Sequence, residues 1–220
     1  MQSDVNSTIN LLEIFKKNTK RFIYLSTVHV YGELNGKNDE NSVTSPLNIY
    51  GLTHLLSENI CQYYNNNSNI KCSIVRLSNS YGSPIYEDNN CWWLVINHIC
   101  KMAIEKGEIE LKSDGTAVRD FIHGNDVVDA IIIILQESDM PDIINVASGK
   151  MIRILDVAVK VKDIFLKKYG RELLIKLPTD EHVKNYTLNT QNSSINKNIS
   201  IDKLKSLGFQ QKVDLSRGIS

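Results

Sequence analysis

An α/β fold is the class this sequence predicts, on three observations. RFIYLST (21–27) and KCSIVRLSN (71–79) are short runs rich in β-branched and aromatic residues, the pattern of buried strands. A helix-period stretch, YGLTHLLSENICQYY (50–64), lies between them, so a parallel pair with a helical crossover is the natural arrangement. Further helical segments then alternate with short apolar runs to the end of the chain.

The elements follow in order. STINLLEIFKKNT has apolar residues at 9, 11, 12, 14 and 15, which predicts an amphipathic helix with Ser7 or Thr8 near its cap. The strand 21–27 runs into a loop, VYGELNGKNDENSVTSP. The crossover helix carries its apolar residues at 52, 55, 56 and 60. After the second strand, YGSPIYEDNN is a loop, and CWWLVINHICKMAIEKG is a helix ended by Gly107. IEL is a short strand, RDFIHGND leads into the helix VVDAIIIILQES, and DIINVAS is a strand. RILDVAVKVKDIFLKKYG is a helix closed by Gly170, ELLIKL reads as a last strand, and IDKLKSLGF as a short helix. The Asn-rich stretches NNNSN (65–69) and NTQNSSINKN (189–198) read as loops.

Composition narrows the function classes. Hydrophobic residues make up 42% and charged residues 23% of 220, ordinary for a soluble globular protein. Lys plus Arg and Asp plus Glu are each 25, which gives no electrostatic argument for nucleic acid or an anionic membrane. The longest apolar run, AIIIIL, is too short to span a bilayer, and the first fifteen residues have no signal-peptide pattern. Cys61, Cys72, Cys91 and Cys100 form no CxxC pair and read as reduced, mostly buried thiols of a cytoplasmic protein. His29, His98, His123 and His182 show no ligand spacing, so no metal is expected.

Five segments occur in a telling order: RFIYLSTVHVYG, PLNIYGLTH, VRLSNSYG, DGTAVRDFIHGNDVVDAI and INVASG. In that order the chain resembles the extended short-chain dehydrogenase/reductases, and within them the NAD-dependent nucleotide-sugar epimerases and dehydratases. The resemblance runs from about residue 4 to the end. It implies a Rossmann-type sheet over residues 1–82, and a mainly nucleotide-sugar-binding region over 83–220 from which 143–149 returns as a Rossmann strand. It implies that Thr27 holds the sugar hydroxyl and that Tyr50 is the acid/base. A phenol has a reference pKa near ~10 and needs a positive neighbour to take a proton near neutral pH.

The family places a Lys four residues after that Tyr, on the same helix face; here the position is His54. An imidazole is shorter and mostly neutral at pH 7, yet it can donate to the nicotinamide ribose. HVYG, YGLTH and NNCWW are similar to segments in a subset from surface-polysaccharide pathways, which makes His54 a feature of a lineage. The resemblance also places Ser26 and Ser78 by the cofactor, and Asn79, Asn90 and Arg119 on the nucleotide sugar. For Arg119 the alternative is a structural ion pair with Asp120 or Asp126. Where family dehydratases carry an Asp–Glu pair after the Thr, this chain has Val28 and His29, so epimerase or reductase chemistry is favoured over dehydration.

The family's Gly-rich turn is not in the sequence: no two glycines stand three residues apart. Asp4, before VNST, stands where the family usually has an Asn near the ribose. The expectation is a chain missing the first Rossmann half, with open strand edges and a weak hold on NAD by itself. A misplaced start, a half supplied by another chain, and a decayed remnant remain open. The function expected is a portion of an NAD-dependent nucleotide-sugar epimerase/dehydratase, with a homodimer in keeping with the family. The alternative is a catalytically silent fragment that binds a nucleotide sugar or a partner subunit.

Overall fold

The computed structural model describes residues 2–86, 88–178 and 195–220, without the side chains of residues 2–4. The chain divides into two compact units. Unit 1 comprises Met1–Ser78, Val127–Gly149 and Lys197–Gln210; unit 2 comprises Asn79–Asp126, Lys150–Asn196 and Gln211–Ser220.

Unit 1 is built on a parallel sheet of β1 (Arg21–Thr27), β3 (Lys71–Leu77) and β7 (Ile143–Val146), in the order β1-β3-β7. The helical crossover between β1 and β3 is α2 (Ile49–Asn67), as the sequence predicts. The register puts Thr27 beside Leu77 and Leu77 beside Val146, so the three carboxyl ends lie level. Open α/β sheets bind ligands at such an edge. β3, between its neighbours, is buried along its middle five residues. β1 is an edge strand, and Leu25 is 47% exposed, so it is only in part the buried strand expected. Leu12 of α1 (Gln2–Phe15), Cys61, Tyr64, Ile70, Cys72 and Ile74 form the core here.

Several boundaries differ from expectation. α1 starts at Gln2, so Ser7 and Thr8 lie inside it and cap nothing. Its buried face runs through Thr8 and Leu12, while Ile9, Leu11, Ile14 and Phe15 are exposed. In α2 the buried face is Gly51, Thr53, Ser57, Glu58, Cys61 and Tyr64, and Leu52 and Leu56 are exposed. Only part of each apolar stripe, Leu12 in α1 and Ile60 in α2, packs on the core. The loop after β1 contains a 3-10 turn, Val28–Tyr31, and a short β2 (Gly36–Asn38). β2 pairs in parallel with β10 (Lys197–Ile199), which begins inside the predicted Asn-rich loop 189–198; positions 189–194 lie outside the described residues. β10 follows ELLIKL, so that run is not the last strand. α6 (Asp202–Ser206) is the predicted short helix.

Unit 2 carries a mixed sheet, β4 (Asn79–Tyr81), β6 (Val118–His123) and β8 (Met151–Arg153), with β4 and β6 parallel and β6 and β8 antiparallel. A parallel pair, β5 (Glu108–Glu110) and β9 (Leu174–Lys176), stands beside α3 (Val95–Lys106) and α5 (Ile154–Tyr169). α3 and α5 end at Gly107 and Gly170, as predicted. Their apolar faces, with Ile99, Ile109, Val157 and Phe165, make the core. α4 (Gly124–Gln136) follows β6 and belongs to unit 1 from Val127 on, and a last short helix of unit 2, α7 (Leu215–Ile219), had no sequence signal.

Candidate functional site

In unit 1 the residues at the carboxyl end of β1 and the start of α2 are brought together. Thr27 is 5% exposed, and its Oγ1 accepts the His29 amide at 3.3 Å, which starts the 3-10 turn. α2 begins because the Asn48 side chain accepts the Gly51 amide at 2.8 Å. Gly51 is required there: a Cβ would stand 2.7 Å from the His29 carbonyl oxygen. This close approach seats the first turn of α2 against the turn that follows Thr27. Tyr50 is 52% exposed, so its phenol is accessible.

His54 sits one turn on. Its ring lies edge-to-face with Tyr50, centroids 4.6 Å apart. On its other side, His54 Nδ1 is 2.9 Å from the Tyr24 hydroxyl. His29 stacks edge-on against Tyr50 with centroids 5.8 Å apart. From the sequence, His29 is expected at the surface or in the core, and Tyr24 carries no role. The strand pattern of 21–27 holds no signal for Tyr24, because its partner is 30 residues away.

Beneath these residues is a buried polar network. Glu58 and Arg76 are almost fully buried, and Arg76 Nη2 meets Glu58 Oε2 at 2.8 Å. Ser26 Oγ donates to Glu58 Oε1 at 2.5 Å. The Ser26 hydroxyl thus donates inward, away from the sheet edge where the sequence reading places a cofactor. The Arg76 guanidinium lies 4.9 Å from the Tyr31 ring centroid, and the Tyr31 hydroxyl donates to Asn145 Oδ1 at 2.7 Å. Burial pushes the Arg76 guanidinium down, but the Glu58 carboxylate more than offsets this and leaves it raised. Burial raises the Tyr31 phenol, partly opposed by Arg76. Tyr50, His54 and Glu58 recur every fourth residue on α2, so this network anchors the helix face that presents Tyr50. Ser78, just past β3, is buried, and its amide donates to the Val146 carbonyl at 3.0 Å.

The other predicted residues lie in unit 2. Asn79 Nδ2 donates to the Asp120 carbonyl at 2.9 Å. Asn90 is exposed, and its carbonyl accepts the Trp93 indole N–H at 3.0 Å. Arg119 is exposed, and its Nη1 donates to the Val118 carbonyl at 2.9 Å. Among the described residues Arg119 forms no ion pair. The two acids that stand near it in sequence are engaged elsewhere: Asp120 accepts the Lys150 amide, and Asp126 accepts the amides of Lys212 and Val213. Asp4's side chain and His182 lie outside the described residues.

Among the described residues no His/Cys/Asp/Glu group could hold a metal, and no helix is long and apolar enough to cross a membrane. All four cysteines are free thiols; Cys61 and Cys72 are buried, whereas Cys91 and Cys100 are half-buried.

Residues 1–147 match the family model described as the NAD dependent epimerase/dehydratase family. The chain belongs to that family. Among its relatives, the uncharacterized UDP-glucose epimerase YtcB of Bacillus subtilis is 28% identical over 167 residues, covering 75% of this chain and 51% of that protein. The dTDP-D-glucose 4,6-dehydratase of Dictyostelium discoideum is 26% identical over 176 residues, covering 74% of this chain and 39% of that protein. Among solved structures, the UDP-glucuronic acid 4-epimerase of Bacillus cereus, in complex with UDP-glucuronic acid and NAD, superposes with a TM-score of 0.75 at 25% identity. That match covers 98% of this chain and 64% of the other. The chain thus spans about half the length of the curated relatives it matches, and both epimerases and dehydratases of this family are among them. Its β1-β3-β7 layer is a Rossmann-type parallel sheet.

Proposed function

We propose that this chain is the sugar-chemistry portion of an NAD-dependent nucleotide-sugar epimerase or reductase of surface-polysaccharide metabolism. In this reading Tyr50 moves the proton of the reacting sugar hydroxyl and Thr27 holds that hydroxyl. The observation that carries it is the grouping of Thr27, Tyr50 and His54 at the level carboxyl edge of a parallel sheet. Residues 1–82 and 143–149 would serve the cofactor, and the remainder of 83–220 the substrate. Asn79, Asn90 and Arg119 would hold the nucleotide diphosphate and sugar, Arg119 with a planar fork of donors suited to phosphate oxygens.

NAD, when bound, accepts a hydride from the sugar carbon and can return it. The donor set at the sheet edge suits its ribose end: the Tyr50 phenol and the His54 imidazole are both hydrogen-bonding groups for ribose hydroxyls, and Ser78 offers backbone nearby. No glycine pair three residues apart is present to cradle its pyrophosphate. Val28 is buried and His29 packs on Tyr50, so neither position offers the carboxylate that elimination of water needs. This favours epimerisation or reduction over dehydration.

The exposed apolar residues Leu11, Ile14 and Phe15 of α1 and Leu52, Leu56 and Tyr63 of α2 support a homodimer through these two adjacent helices. The second reading is a catalytically silent fragment that binds a nucleotide sugar or a partner subunit.

Thermal unfolding of the full chain with NAD, with UDP-, GDP- and dTDP-sugars, and with both together tests the proposal. A ligand at a hundred times its Kd adds about 2.7 kcal/mol, which is several degrees for a chain of this size. Stabilisation by a nucleotide sugar, enlarged when NAD is present, is expected. No shift with any nucleotide sugar would overturn both readings; a shift unaffected by NAD would leave the silent fragment.

A further inference from the structure

The residue one turn after Tyr50 is not an isolated imidazole. Its Nδ1 is 2.9 Å from the Tyr24 hydroxyl, and its ring packs at 4.6 Å from Tyr50. Tyr24 comes from β1, His54 and Tyr50 from α2, and His29 from the 3-10 turn, so three elements converge on one cluster. We propose that Tyr24 is a positioning residue, whose phenol donates to Nδ1 of His54 and fixes the imidazole with its hydrogen on Nε2.

The chemistry sets the direction of that bond. A phenol, with a reference pKa near ~10, is the stronger acid of the two neutral partners, and the unprotonated imidazole nitrogen is a good acceptor. A neutral imidazole that accepts at Nδ1 carries its hydrogen on Nε2, because the partner at one ring nitrogen decides the state of the other. The same bond holds the ring in one orientation: Tyr24 is half-buried, packed against the core that contains Cys61 and Ile74. His54 thereby presents a fixed donor beside Tyr50 without carrying a permanent charge.

This rests on the proposed role of His54 at the ribose, where a donor is what is wanted. The Tyr24–His54 pair supplies that donor by position and tautomer, and the pair, not His54 alone, is the functional unit.

Long-range ¹H–¹⁵N NMR of the imidazoles in the full chain reads the tautomer directly and needs neither nucleotide nor sugar. The measurement is made at pH about 8, above the reference imidazole pKa near 6.5. A His54→Asn variant identifies the His54 signals among the five histidines. The unmodified chain is expected to show His54 with an unprotonated Nδ1 and a protonated Nε2. In Tyr24→Phe, which keeps the ring in its packing place, the Nδ1 resonance should leave the unprotonated range and move toward the average of the two tautomers. A protonated Nδ1 in the unmodified chain would overturn the proposal with no variant needed, as would a Tyr24→Phe spectrum unchanged at His54. Because no ligand enters the measurement, these outcomes are separate from success or failure of nucleotide-sugar binding.

Discussion

Under the candidate site in unit 1 two buried charges, Glu58 and Arg76, pair with each other; in unit 2 the buried carboxylates of Asp120 and Asp126 accept main-chain amides. Glu58 and Arg76 neutralise each other and tie α2, β1 and β3 together through Ser26. Asp120 and Asp126, equally buried, instead accept main-chain amides of Lys150, Lys212 and Val213 and so fix chain segments. The difference reaches the candidate residues themselves. Ser26 is buried against the ion pair and Thr27 is buried at the end of β1, whereas Asn90 and Arg119 stand exposed, each with one local bond among the described residues. Buried groups have their geometry fixed by packing; exposed cationic and amide groups are accessible from water.

The largest effect should come from breaking the ion pair. Glu58→Ala leaves Arg76 buried without its carboxylate, which costs about 3–5 kcal/mol. Urea unfolding would show it, and an unchanged midpoint would erase the contrast between the units. The double change Glu58→Met/Arg76→Met should recover most of the loss, since removing both charges leaves no unpaired ion.

Asp126→Ala should cost less, about 1–3 kcal/mol, because it removes hydrogen bonds to two amides and strands no opposite charge. Faster hydrogen exchange at the Lys212 and Val213 amides, with the unit 1 core still protected, would locate the loss.

The smallest effect belongs to the exposed pair Lys37–Asp202 in unit 1, 2.6 Å apart. The hydrogen bond from Lys37 holds Asp202 below its usual range, and the same bond raises Lys37. A depressed carboxylate contributes stability above its unfolded value near ~3.9, lost as pH falls through the lower folded value. A raised ammonium contributes below ~10.4, lost as pH rises through the higher folded value. Melting temperature should therefore fall slightly less at acid pH in Lys37→Ala than in the unmodified chain. Solvent screening keeps the change small.

Much of this was legible where the signal is local. The strands 21–27 and 71–77, their parallel pairing, and the helix ends at Gly107 and Gly170 follow from periodicity and from the left-handed residue that ends a helix. The inward face of α2 was not legible. Nothing local in LLSENI marks Glu58 as buried; its partners, Arg76 on β3, 18 residues on, and Ser26 on β1 explain it. β2 pairs with β10 across about 160 residues, so neither short strand has a signal of its own. Tyr24 was hidden for the same reason: a strand pattern says which residues are extended, not which side chain from a later helix they meet.

The most direct test of the account is calorimetric titration of a UDP-sugar into the full chain and into Arg119→Ala. Arg119 makes no ion pair among the described residues, so its loss should leave the unfolding free energy within about 0.5 kcal/mol of the original. A charge-assisted bond to phosphate contributes about 1.5–3 kcal/mol, so binding should weaken by roughly ten-fold to a hundred-fold. Equal affinity in the two chains would contradict the placement of the nucleotide diphosphate, and with it the function proposed for this chain.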